Sequence, residues 1–196
     1  MGNYLSGRPV TSCDFARAMI ECPKNKLPLY TEFPDSTLEP LEALLSGKSG
    51  RHFRRMPKYQ RAVALERELG LLKPEERLWL HLETMNWEWG KLRDRDAFVR
   101  DFAAIVDAAP VSETESGSGE TLSPLEHSFY ITASAYNLAR AGLTEEARAQ
   151  LRSQPTLGTD DPELDYVRLY RDRVVVCIDA GLKTKACTPD TPIRVR

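Results

Sequence analysis

Residues Ser123 to Gly142 read SPLEHSFYITASAYNLARAG, a helix written with its own start and stop. Serine caps a helix, and proline at the first helical position gives up an N–H that has no partner there anyway. The carboxylate of Glu126 suits the positive end of the helix dipole. A closing glycine adopts the left-handed conformation that ends a helix. The same grammar recurs in Lys73-Pro74-Glu75-Glu76, running to Gly90, and in Asp161-Pro162-Glu163, running to Gly181. Three copies predict that the C-terminal two thirds of the chain is helical.

The intervals fill in around them. Leu38, Leu41, Leu44 and Leu45 share one face and predict a short helix over 38–45, broken by Ser46-Gly47-Lys48-Ser49-Gly50. A helix starts near Pro57, carries Ala62, Leu65 and Leu69, and stops at Gly70. The stripe Leu78, Leu82, Met85 and Trp89 marks helix 74–89. Asp94 caps a helix to 108 with Phe98, Phe102, Ile105 and Val106 on one side. Helices 124–141, 144–153 and 161–180 follow, although Val174 to Val176 would also suit a strand. Residues 1–11 read as an irregular N-terminus. Thr11 or Ser12 then caps a short helix through Ile20, and Pro23, Pro28 and Pro34 force a turning connection. Residues 112–122 hold Ser, Gly, Thr and Glu and read as a flexible loop between two helical halves, and 188–196 as a frayed tail. The fold expected is all-α: one domain of seven or eight helices, a compact array of antiparallel helical hairpins, since short connections make neighbours antiparallel.

Composition narrows the class. The chain has 196 residues, 41% hydrophobic and 29% charged, which fits a folded core rather than a disordered chain. Its net charge of −2 creates no global attraction to nucleic acid or an acidic membrane, so nucleic acid is disfavoured as a partner. No apolar run approaches the roughly 18 residues of a transmembrane segment, and no apolar signal core opens the chain. The expected location is the cytoplasm. The alternative is an exported or periplasmic protein whose Met1 replaces a removed signal peptide and whose cysteines are paired. Met1-Gly2-Asn3-Tyr4-Leu5-Ser6 matches the N-myristoylation pattern, which would acylate Gly2; one myristoyl chain holds a membrane only marginally.

Four cysteines stand near the two ends. Their spacings are too wide for the paired ligands of a structural zinc site, so no metal is assigned. Cys13 with Cys187, and Cys22 with Cys177, have nearly equal position sums, as two antiparallel segments side by side would show. Those pairings would staple the ends of the chain together. The competing reading is four ordinary buried thiols.

Chemistry-bearing motifs are weak. Gly47-Lys48-Ser49 looks like the end of a phosphate-binding loop, but Glu42 occupies the place of the required first glycine. His81-Leu82-Glu83 lacks a second histidine one turn on, and His52, His81 and His127 share no ligand spacing. No catalytic residue and no cofactor follow from these. Arg51, His52, Arg54, Arg55, Lys58 and Arg61 form the one dense basic run, with Phe53 and Tyr59 interleaved. Trp79 lies off the apolar stripe of its helix, as does Trp87. Exposed aromatic and arginine side chains anchor protein interfaces, so Arg54, Arg55, Lys58, Tyr59, Trp79 and Trp87 are the candidate partner-binding residues. The competing reading fills the core with the tryptophans and leaves the basic run as a solvated face.

Ala135, Leu138, Ala139, Gly142, Ala147 and Leu151 place small residues where two helices cross, a glycine at the turn, then alanine and a large apolar residue. This pattern over about residues 130–153 resembles a tetratricopeptide-type hairpin. The resemblance implies a helical-repeat scaffold that binds proteins, with a compact irregular bundle as the alternative architecture. The functional expectation is therefore a non-enzymatic protein that binds another protein. Arginine and alanine enrichment suggests a bacterial source, where such proteins serve as toxin-neutralising immunity proteins or as secretion chaperones and adaptors; the partner would be a toxin or a secreted effector. The alternatives are an N-myristoylated membrane-associated regulator or injected effector, and an enzyme whose site is assembled only in space.

Overall fold

The computed structural model describes residues 2–10, 19–112, 120–154 and 162–193. Among them stand eight α-helices: α1 (Leu38–Leu45), α2 (Gly47–Arg54), α3 (Lys58–Leu69), α4 (Pro74–Glu88), α5 (Arg95–Ala108), α6 (Pro124–Arg140), α7 (Thr144–Arg152) and α8 (Pro162–Asp179). Two very short antiparallel ladders complete them, β1 (Gly2–Asn3) with β2 (Pro9–Val10) and β3 (Ile20–Glu21) with β4 (Pro28–Leu29). The chain is mostly helical, as expected. Its internal contacts divide it into two compact units, Phe15–Arg93 on one side and Met1–Asp14 with Asp94–Arg196 on the other.

In the unit Phe15–Arg93, α3 and α4 form an antiparallel hairpin. Gln60 N–H, at the start of α3, donates to the Glu88 carboxylate at the end of α4 (3.0 Å), while Arg77 Nε near the start of α4 donates to Glu66 (3.2 Å). Leu65, Leu78, Leu82 and Met85 are fully buried between them. Two local expectations fail here. Ile20 lies in a strand rather than at the end of a helix, because Lys26 takes a left-handed conformation (φ 64°) and turns the chain back onto itself; the rest of the expected helix, 11–18, lies outside the described residues. The Ser46–Gly50 breaker instead starts α2. Left-handed Gly47 (φ 57°) reverses the chain after α1, and a Cβ on Gly50 would stand 1.9 Å from the Leu45 carbonyl oxygen. That close approach lets Phe53 reach the core beside Leu41 and Leu65, where burial of one large side chain contributes about 2 kcal/mol and outweighs two poor helix formers.

In the other unit, α5, α6 and α7 alternate in direction. His127 Nε2 at the start of α6 meets Val106 O at the end of α5 (3.1 Å), and Gln154 Nε2 just past α7 meets Ser128 O (3.4 Å). Arg100 with Glu146 and Gln150 with Asp107 then make α5 and α7 run the same way. Helix α6 is buried on every side from Tyr130 to Ala139. Ala133, Ala135 and Ala147 have no exposed surface, so their missing bulk is what lets the neighbouring helices approach. Ser123 and Glu126 exchange hydrogen bonds between side chain and backbone at the α6 start (3.2 and 2.7 Å). Gly142 (φ 91°) and Gly181 (φ 63°) stop their helices as expected, whereas Gly90 does so without a left-handed turn. The valines at 174–176 are helical.

The chain ends in this unit are tied together. Residues 2–10 form the β1–β2 ladder rather than an irregular segment, and the described part of the tail, 188–193, pairs with it instead of fraying. Leu5 N–H donates to Thr191 O (3.0 Å), Ile193 N–H donates to Asn3 O (2.8 Å), and Ile193 is buried. The stretch 113–119 lies outside the described residues; its flanks close through Ser112 N–H to Leu122 O (2.8 Å).

The cysteine pairing is corrected. The disulfide joins Cys177 to Cys187, with Cα atoms 5.3 Å apart, so neither Cys13–Cys187 nor Cys22–Cys177 is formed. The reason is local: Gly181 turns the chain at the end of α8, Leu182 N–H bonds back to Cys177 O (2.8 Å), and Cys187 returns over the helix it left. Cys22 is a free thiol in the β3–β4 turn, and Cys13 lies outside the described residues.

Candidate functional site

The unit Phe15–Arg93 carries an open groove of about 910 Å³. One wall is helix α4, the other the β3–β4 hairpin and the chain that follows it. The α4 wall can be read directly from the sequence. Glu75, Trp79, Glu83 and Trp87 recur every four residues and share one face. Twelve residues of helix make that face about 18 Å long. The first three line the groove, and Trp87 continues the row with its indole N–H donating to Glu83 (3.2 Å). Trp79 and Trp87 each remain 37% exposed.

The opposite wall presents Ile20 and Leu29, 69% and 49% exposed, an unusual display for aliphatic side chains held in a ladder. Tyr30 and Tyr59 stand between the walls. Both phenols are held protonated above their ordinary range, chiefly by burial; carboxylates add to this, Glu66 for Tyr30 and Glu83 and Glu88 for Tyr59. Tyr30 Oη donates to the Glu66 carboxylate (3.3 Å), and Tyr59 Oη accepts from Met19 N–H (3.4 Å). The charged groups among the described lining residues are all carboxylates, Glu75, Glu76 and Glu83. Glu76 already accepts the Lys73 N–H at the start of α4 (3.0 Å).

Two buried charges on α3 hold these walls in place. The Glu66 carboxylate is 1% exposed and accepts from Leu71 N (3.1 Å), Leu72 N (3.1 Å), Tyr30 Oη (3.3 Å) and Arg77 Nε (3.2 Å). It thereby positions Tyr30 and Leu72, which line the groove. Arg61, also buried, donates through Nε to Lys26 O (3.0 Å) and through Nη2 to the Glu21 carboxylate, pinning the hairpin that carries Ile20 and Leu29. Sequence reasoning missed Glu66 and misfiled Arg61 in the exposed basic run. The signal for Glu66 was present, because it follows Ala62 by one turn on the apolar face of α3.

The sequence-chosen residues are thus split. Tyr59 and Trp79 line the groove, Trp87 extends its α4 wall, and Lys58 Nζ lies 5.7 Å from the Tyr59 ring centre. Arg54 sits at the end of α2, where Nη1 donates to Leu45 O (2.9 Å) and closes the C-terminus of α1. Arg55 is exposed on α2's C-terminal side, and Phe53 between them belongs to the core. Gly2 is in β1, paired with Val10. Among the described residues no group of three or more His, Cys, Asp or Glu side chains is arranged to hold a metal ion, and no helix is long and apolar enough to cross a membrane. His81 is buried inside α4 with Nδ1 2.9 Å from Arg77 O, and His127 meets the α5 end, so neither faces the groove. The groove offers shape, apolar surface and carboxylates, on walls tied to Glu66 and Arg61. No protein-family model matches the chain, and comparison with curated proteins and with solved structures finds no significant match.

Proposed function

We propose that this chain is a non-enzymatic helical protein that works by holding a segment of another protein, and that the groove between α4 and the β3–β4 hairpin is where it does so. The observation that carries this reading is the exposure of Ile20, Leu29 and Trp79 around one concavity, while Glu66 and Arg61 hold its walls from within the core. Exposed aliphatic and aromatic groups gathered in one place mark interaction sites, and a preformed wall spares the binder the entropy of ordering it. A toxin-neutralising immunity protein, or a secretion chaperone or adaptor, is the kind of role such a surface serves, with a toxin or secreted effector as the partner.

The test is selection of binding peptides from a displayed random library on the purified chain, followed by titration onto variants. Trp79→Ala removes an anchor that is 37% exposed, and helical circular dichroism on the variant verifies that it is folded before titration. It weakens groove-bound peptides by about thirtyfold, the scale of an interface hot spot. Leu29→Ser gives a second, independent loss. Reversal of charge at Arg54 and Arg55 leaves affinity unchanged. If binding falls on that reversal and survives both groove changes, the working surface is α2 and this proposal is wrong.

A further inference from the structure

Helix α2 carries a row of basic side chains that nothing in the described chain answers. Lys48, Arg51, His52 and Arg55 follow the spacing of one helix face and are all exposed. Arg55 stands one residue past α2 and keeps helical backbone angles (φ −89°, ψ −11°), so it continues the row. The opposite face holds Gly50 and Phe53, both buried. Among the described residues none of the four row side chains makes an ion pair. No aspartate or glutamate occurs between Glu42 and Glu66. Arg54 stands apart from the row, donating to Leu45 O (2.9 Å). The geometry points to a second docking face, on which α2 receives an acidic helical segment of a partner protein. Carboxylates at one-turn steps on that segment meet Lys48, Arg51 and Arg55, and His52 offers a further hydrogen bond. None of these residues lines the groove beside α4, so this inference goes beyond the groove and does not rest on it.

Charge complementarity leaves three classes of anionic partner, and the surroundings of the row choose among them. Proteins that hold single-stranded nucleic acid stack bases on exposed aromatic rings. The aromatic side chains of this run, Phe53 and Tyr59, are both buried. A helix that lies on a membrane inserts its apolar face. The apolar face of α2 is spent on the core, where Phe53 packs with Leu41 and Leu65. A net charge of −2 also gives the whole chain no long-range pull on an extended polyanion beyond the row itself. A short acidic helix meets none of these objections. The row spans two turns, about 10 Å, and a helix with glutamates at the same spacing presents carboxylates over the same length. Basic residues without internal partners favour such a segment and disfavour a basic one.

The experiment uses the full chain and three alanine-based helical peptides of equal length, followed by fluorescence anisotropy. One carries four glutamates on a single face at the spacing of the row. One carries the same glutamates spread around the helix, and one has glutamines in their place. The one-faced glutamate peptide binds at least about tenfold more tightly than the glutamine peptide and about threefold more tightly than the spread one. The preference shrinks as salt rises, because exposed charges are screened. Replacing Arg51 and Arg55 together by glutamine weakens the one-faced peptide about fivefold, the scale of two exposed ion pairs. Replacing Lys91 and Arg93 together by glutamine removes the same charge elsewhere on the surface and leaves binding unchanged. Trp79→Ala also leaves it unchanged, which separates this face from the groove. Equal binding of the one-faced and spread peptides, or equal losses from the two double variants, would reduce the row to unspecific attraction and overturn the proposal. An oligothymidine strand or phosphatidylserine vesicles bound more tightly than the one-faced peptide, with loss on the Arg51 and Arg55 change, would replace the protein partner by a phosphate-bearing one. A one-faced peptide released by Trp79→Ala would place the acidic segment in the groove and overturn the second face while the groove stands.

Discussion

Replacing Glu66 by alanine removes one carboxylate and strands four donors. Two are backbone N–H groups of the α3–α4 turn, one is the Tyr30 phenol and one is the Arg77 guanidinium. Removing one member of a buried ion pair costs about 3–5 kcal/mol. Arg77 is 37% exposed and regains water, which lowers the figure to about 3 kcal/mol. A unit of about 80 residues has a stability of roughly 4–12 kcal/mol and a urea slope of about 1 kcal/mol/M. The expected shift of its unfolding midpoint is therefore about 2–3 M. The chain reports this unit selectively, because all three of its tryptophans, Trp79, Trp87 and Trp89, lie within it. Urea unfolding followed by tryptophan fluorescence is the assay. Glu66→Gln, which keeps the shape and one acceptor, shifts the midpoint by about half as much. Glu68→Ala, on the exposed side of the same helix, shifts it by less than about 0.5 M. A Glu66→Ala midpoint within about 0.5 M of the parent would refute the claim that this carboxylate frames the α3–α4 turn.

Three further outcomes follow from the same structure. Burial holds the phenols of Tyr30, Tyr59, Tyr136, Tyr166 and Tyr170 above their ordinary value of 10.0, Tyr136 up to about 12. Folded-state values above the unfolded ones mean that their contribution is complete below pH 10 and is lost as pH rises through the folded values. Phenolate absorbance from these five should therefore grow together with loss of helical circular dichroism. Ionisation of every tyrosine near pH 10 with the helices intact would contradict their burial. Replacing Cys177 and Cys187 together by serine opens a short loop and lowers the stability of the unit Met1–Asp14 with Asp94–Arg196 by about 2–3 kcal/mol; non-reducing peptide mapping that recovers either residue as a free thiol would disprove the pairing. Gly50→Ala drives a methyl group into the Leu45 carbonyl and destabilises the unit Phe15–Arg93 by about 2–3 kcal/mol, measured by the same fluorescence assay; a neutral effect would show that the α1–α2 approach is looser than described.

What could be read from residues in order was the set of helices closed by near neighbours. Lys73, Asp94 and Ser123 start helices, and Gly70, Gly142 and Gly181 end them, because capping and left-handed turns act within a few residues of backbone. The apolar rows on α3, α4 and α5 face the interior as their periodicity requires. Periodicity also placed Trp79 and Trp87 off the apolar stripe of α4, while the groove they border came only with the fold. Long-range contacts settled the rest. Phe53 made a helix out of an apparent breaker because there was a core for it to enter. Residues 188–193 gained order from a ladder whose other half lies at the opposite end of the chain. Cys187 chose a partner ten residues away because a turn returned it to α8, which no arithmetic on positions reveals. Glu66 and Arg61 became the frame of the groove because burial, a property of the folded unit, turned two ordinary helix charges into fixed acceptors and donors. Local backbone rules act along the chain and leave their mark in it; a groove is a relation between segments and exists only once they have met.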